Sequence, residues 1–137
     1  MNPEDLKKRT KQFALRVLKL VAALPNNVRG RTIAGQLVRA GTSVGSNYRA
    51  ACHARSKAEF VAKIGIVEEE ADESAFWMEL IIEDGLEKQQ LVQPLLDEAI
   101  ELAKIMASSR KSASETLKLR TNGKSAIGNR KSKMSYG

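Results

Sequence analysis

The sequence has 137 residues, 42% hydrophobic and 28% charged, with one Cys, one His and a formal net charge of +7 at pH 7. That is the size of one domain, and an aromatic share of only 4% makes its core aliphatic. A disulfide scaffold, a zinc site built from Cys and His of one chain, and a collagen-like or low-complexity chain are excluded.

The first predicted helix opens at Asn2, a capping residue. Pro3 suits the first helical position, and Glu4 and Asp5 sit near the positive end of the helix dipole. Acids come first at this N-terminus and no apolar stretch follows, so no secretory signal is expected. Phe13, Val17, Leu20 and Leu24 follow 4-3-4 spacing and share a face. Pro25 ends this helix near Leu24, and residues 26–31, with Gly30, read as a turn.

The second helix is expected from about Thr32 to Arg55, with Ile33, Leu37, Gly41, Val44, Tyr48 and Ala51 on one face. Gly41 and Gly45 stack on one side. Interior glycine costs about 1 kcal/mol relative to Ala, so the pair points to close backbone contact or a kink. Ser56-Lys57-Ala58-Glu59 matches a capping box, which makes the next connection tight and the flanking helices antiparallel.

The third helix carries the clearest pattern. Phe60, Ile64, Val67, Ala71, Ser74, Met78 and Ile81 form an unbroken heptad-like seam. Phe76, Trp77 and Leu80 add a second apolar stripe, which calls for a further partner. Gly85 is a natural stop. The fourth helix is expected to start near Pro94, and Val92, Leu95, Ala99, Leu102 and Met106 continue the seam. Past Ser108 the pattern weakens, although Leu117 and Leu119 can prolong it. These elements predict an all-α, antiparallel up-down-up-down four-helix bundle over 1–120, followed by a basic disordered tail over 121–137. The longest apolar run, Leu20 to Leu24, is five residues against the roughly 18 of a membrane span, so a cytoplasmic protein without a membrane partner is expected.

Charge is segregated. Residues 25–55 carry five Arg and no acid, residues 56–84 carry two Lys and nine acids, and residues 108–137 carry eight basic residues and one acid. Basic and acidic segments are expected to pair within or between chains, and the basic end suggests an acidic partner such as nucleic acid. If the second and third helices fold back about Ser56, Arg39 falls opposite Asp72 or Glu73 and Arg49 nearer Ala62.

Catalytic constellations fail on inspection. Gly123-Lys124-Ser125 lacks the upstream glycine and the strand of a phosphate-binding loop. Cys52 and His53 are adjacent and point about 100° apart on a helix. The acidic run has no Glu-x-x-His motif for a di-metal site. Ser43, Ser46 and Asn47 lack a general base, and Ser43 and Asn47 read instead as polar contacts between helices or subunits. Glu69, Glu70, Asp72 and Glu73 read the same way. No enzyme activity, metal or cofactor is expected.

The stretch from Ala40 to Ala51, then Ser56, Glu59-Phe60 and Lys63, then Glu70 to Ser74 and Trp77, resembles one family. It is similar to the small bacterial four-helix-bundle proteins encoded in intervening sequences of 23S rRNA genes. The likeness covers roughly residues 5–107. It implies a four-helix bundle, a homopentameric barrel and no established catalytic residues. It also implies a Pro in many relatives at the position of Gly45. A similar bundle occurs in the accessory variability proteins of diversity-generating retroelements, whose basic barrel works with nucleic acid.

Two functions follow as expectations. One is electrostatic binding of RNA or DNA by an oligomer. Arg29, Arg31, Arg39, Arg49 and Arg55 would act from the bundle, and Lys124, Arg130, Lys131 and Lys133 from the tail. The other is a protein-interaction scaffold, in which the arginines are occupied by the acids of the third helix.

Overall fold

The structure, a computed structural model, describes residues 1–126, with side chains through Gly123. Four helices follow one another: α1 (Pro3–Ala22), α2 (Val28–Cys52), α3 (Lys57–Glu83) and α4 (Gln89–Ala126). Each of α1 and α3 packs on both α2 and α4, so α1 and α3 occupy one diagonal of the bundle. Directions follow from the contacts. Arg29 at the start of α2 meets Asp84 just past the end of α3, while Arg39 meets Glu70 and Glu73 in its middle, so these helices are antiparallel. Gly41 lies against Val17 and Gly45 against Thr10, so α1 and α2 are antiparallel too. Residues 84–88 turn α3 back into α4. The result is an up-down-up-down bundle.

The core is aliphatic, as the composition requires. Val17, Leu37, Val44, Ile64, Val67, Met78, Ile81, Val92, Leu102 and Met106 are fully buried, with Phe13 the one large aromatic ring among them. Each such side chain contributes about 1.5–3 kcal/mol by leaving water.

The caps explain the helix starts. Asn2 Oδ1 accepts from the Asp5 amide at 2.8 Å, and Ser56 Oγ accepts from the Glu59 amide at 3.0 Å. The return arm of the capping box reaches one residue further than expected: Glu59 Oε2 accepts from the Arg55 amide at 2.7 Å, not from Ser56. Gly85, at φ +67°, takes the left-handed conformation that ends α3.

Several boundaries differ from the sequence expectation. α1 stops at Ala22, because the Ala23 and Leu24 amides tighten onto Leu20 and Val21, three residues back. α2 starts at Val28, so the segment read as a turn is mostly helix. Asn27 Oδ1 caps it by accepting from the Gly30 amide at 2.8 Å. Gly30 is buried inside the helix, where a Cβ would lie 1.9 Å from the Pro25 carbonyl oxygen. It is a packing requirement and not a turn. α2 also ends earlier, at Cys52.

α4 starts at Gln89, five residues before Pro94. Pro94 withholds one amide from the helix, and the burial of Val92, Leu95 and Leu96 around it holds that turn in the core. At its other end α4 continues through Ala126. It has 38 residues against 27 in α3, a surplus of 11, roughly 16 Å at 1.5 Å per residue. Ala113 is the last buried residue among those described, and Leu119 is 72% exposed, so the final turns leave the core.

Candidate nucleic-acid interface

The candidate arginines are divided by the fold. Arg39, from α2, donates Nη1 to Glu70 Oε2 at 3.0 Å and Nη2 to Glu73. The same Glu73 oxygen accepts from the Trp77 indole at 3.1 Å. The Trp77 N–H holds the Glu73 carboxyl below the ordinary range, with Arg39 adding to it and burial opposing. Arg29 bridges Asp84 at 3.0 and 3.2 Å. Two of the five arginines therefore face carboxylates. Among the described residues Arg31 donates only to Asn26 Oδ1, at 3.1 Å.

Arg49 and Arg55 are exposed, and their guanidinium groups bond no acid among the described residues. The expected partnership of Arg39 with Glu73 is present. Glu70 takes the place proposed for Asp72, which is exposed on the outer face with Glu69. Arg49 stands in the last turn of α2, close to Lys7 on α1. Lys7 there has its pKa raised by its bond to Glu4, and the charge of Arg49 opposes that rise. Ser43 and Asn47 bond each other within α2: Asn47 Nδ2 donates to the Ser43 carbonyl at 3.0 Å and to its Oγ at 2.7 Å. No bond from either to another helix occurs among the described residues, which corrects the interhelix reading of this pair.

Two structural ion pairs escaped the sequence reading. Arg9 makes a bidentate bridge to Glu98, at 2.7 and 2.8 Å, joining α1 to α4. Arg110 Nε donates to Glu68 Oε1 at 2.7 Å, joining α4 to α3. The first links residues too far apart in sequence for any local signal. The second lies where the hydrophobic pattern of α4 fades.

Once these pairs are set aside, one group of the remaining cations gathers at the end of the bundle where α2 hands over to α3. Arg49 and Arg55 come from the end of α2 and its connection. Lys57 and Lys63 come from the first turns of α3, and Lys111, Lys118 and Arg120 from the far half of α4. None has a carboxylate partner among the described residues. A cleft of about 480 Å³ opens at this end, lined in part by Tyr48, Cys52, Arg55, Lys57, Phe60 and Ser109. The Lys57 ammonium lies 6.0 Å from the centre of the Phe60 ring. Burial pushes the Tyr48 phenol up, and the neighbouring Cys52 adds to the shift. Lys124 belongs to α4, but its side chain lies outside the described residues, as do Arg130, Lys131 and Lys133 entirely. Among the described residues no cluster of His, Cys, Asp or Glu could hold a metal ion, and no helix is long and apolar enough to cross a membrane.

Fold and site define a small antiparallel helical bundle, closed by interhelical ion pairs, that leaves one end strongly basic. The model of the 23S rRNA-intervening sequence protein family matches residues 4–108, and the chain belongs to that family. A crystal structure of a protein of unknown function from the S23 ribosomal protein family of Bacteroides thetaiotaomicron is 31% identical, at a TM-score of 0.75. The alignment covers 81% of this chain and 99% of that one. No curated protein matches. The family match stops at residue 108, so Lys111, Lys118 and Arg120 on α4 lie beyond it.

Proposed function

We propose that this chain is a non-enzymatic, self-associating bundle of the cytoplasm that binds RNA or DNA through the basic end of its fold. The observation that carries the reading is the division of cations. Arg29 and Arg39 are neutralised by Asp84, Glu70 and Glu73, whereas Arg49, Arg55, Lys57, Lys118 and Arg120 have no such partner among the described residues and converge on one end. Phosphates neutralise such a surface with release of counterions, which makes binding steeply salt-dependent. Base stacking contributes little, because Tyr48 is buried and aromatic residues are scarce. The exposed Lys118 and Arg120 near the end of α4 supply further cations, able to lie along a phosphate backbone. Assembly as a homopentamer, which the family resemblance implies, would repeat the basic end and raise avidity without new contacts.

Fluorescence anisotropy with a structured ribosomal RNA fragment across a salt series tests this. Each of two double variants, Arg49→Glu with Arg55→Glu and Lys118→Glu with Arg120→Glu, should lower the slope of log affinity against log salt by about 2, near 0.9 per lost phosphate contact. Arg39→Ala should leave the slope unchanged. Absence of binding at low salt refutes the reading. The alternative is a protein-interaction scaffold, which the occupation of Arg29 and Arg39 by acids favours. A stoichiometric, nuclease-insensitive protein partner in a pull-down would support it.

A further inference from the structure

Two helix faces of this chain are complementary and cannot meet within one copy. On α1, Lys8, Lys11, Leu15 and Leu18 recur at three- and four-residue spacing, Lys19 stands four beyond Leu15, and all five lie on the outer face. Leu15 is 51% exposed and Leu18 43%. The three lysines make no ion pair among the described residues. On α3, Glu69, Asp72, Phe76, Glu79 and Glu83 recur at the same spacing, also facing outward. Phe76 is 49% exposed, its ring held edge-on against Trp77 with centroids 5.1 Å apart. These four acids too lack a partner among the described residues.

Each face is an apolar centre flanked by charge of one sign, and the signs are opposite. Their periods match: charges one turn either side of Leu15 on α1, and one turn either side of Phe76 on α3. α1 and α3 sit on a diagonal of the bundle, so their outer faces point away from each other.

We infer that the outer face of α1 docks on the outer face of α3 of a second copy. The inference rests on the reading of this chain as self-associating and names the surfaces that do it. A phosphate backbone is a poor fit to the α1 face, since half-exposed leucines occupy its centre. An acidic partner is not needed from elsewhere, because the chain carries the complementary face itself. The contact is heterologous: every copy keeps one free α1 face and one free α3 face until a ring closes. The cations at the basic end take no part in it, so assembly leaves them open.

The test is mass by light scattering or mass photometry over a concentration series, on nuclease-treated full-length protein. The wild type should run as a multiple of its 15.1 kDa chain. Lys11→Glu with Lys19→Glu reverses the α1 face, and Asp72→Lys with Glu79→Lys reverses the α3 face. Each pair alone should raise the concentration of half-assembly at least about tenfold, by setting like charges opposite one another. All four together restore complementarity and should return it to within a few-fold of wild type. All four positions are exposed, so helicity and melting of the dissociated variants should show an intact fold. Reversed variants that keep the wild-type mass overturn the proposed surfaces while leaving self-association standing. A wild type that stays monomeric at high concentration overturns both. Failure of the fourfold variant to reassemble removes the pairing of these two faces.

Discussion

Two glycines six residues apart in α2 offer an internal control on how the bundle is packed. Replacing either by Ala gains about 1 kcal/mol of helix propensity. At Gly35 the new Cβ meets nothing within 4 Å, so the gain should appear undiminished. At Gly41 it would fall 2.7 Å from Val17 Cγ2 and 2.9 Å from Cγ1. Val17 is fully buried and, being β-branched, has little freedom to turn aside. Overpacking of this kind costs about 1–3 kcal/mol. The net expectation for Gly41→Ala is therefore a loss of about 0–2 kcal/mol. The two variants should differ by about 1–3 kcal/mol, each kcal/mol moving the melting temperature by about 2–5 °C in a chain of this size. Circular dichroism at 222 nm, at one fixed protein concentration, reads this difference. If Gly41→Ala melts as high as Gly35→Ala, α1 gives way without penalty and the close approach of the two helices is not a stabilising constraint.

Arg39→Glu places a third carboxylate beside Glu70 and Glu73, so the melting temperature should fall and Trp77 emission should shift to the red; no change in either would refute the pairing. The same network predicts an acid limit. Glu73 has a folded pKa below its ordinary 4.5, so its contribution is complete above that pH and is lost as the pH falls through the lowered value. Trp77→Phe removes the indole N–H that lowers it most. Between pH 5 and 3 the melting temperature of this variant should therefore fall less than that of wild type, and parallel losses would refute the assignment.

What could be read from the sequence was whatever repeats at the helical period. The seam expected from Phe60 to Ile81 is buried from Ile64 onward and half-buried at Phe60, because a period near 3.5 has only one way to face a core. Local punctuation was less dependable. Pro94 looked like a helix start because its missing amide is tolerated in a first turn, yet buried Val92 carries the helix back to Gln89. Val92 already fitted the seam, and the periodicity outweighed the proline. Gly30 looked like a turn because glycine and asparagine favour one. The same residues are also what a capped start needs when the Pro25 carbonyl lies against Gly30, the third residue of the helix.

The candidate site was legible only in its charge balance, because the selection of cations is made by tertiary contacts. On the sequence, Arg29, Arg39, Arg49 and Arg55 are equivalent members of an acid-free segment. Antiparallel pairing with α3 brings Arg29 and Arg39 to the acid-rich half of that helix, and leaves Arg49 and Arg55 level with its first turns, where Lys57 and Lys63 stand. The up-down connectivity then adds the far half of α4 to the same end. One fold direction thus does two things with a single charge pattern: it neutralises cations where opposite segments overlap, and it concentrates them where like segments meet. The interhelical pairs Arg9–Glu98 and Arg110–Glu68 extend the argument, since each removes a cation from the surface while tying α4 to a neighbour. With α2 and α3 parallel, Arg49 would instead face the acids of α3, and Arg29 and Arg31 would stand beside Lys57 and Lys63.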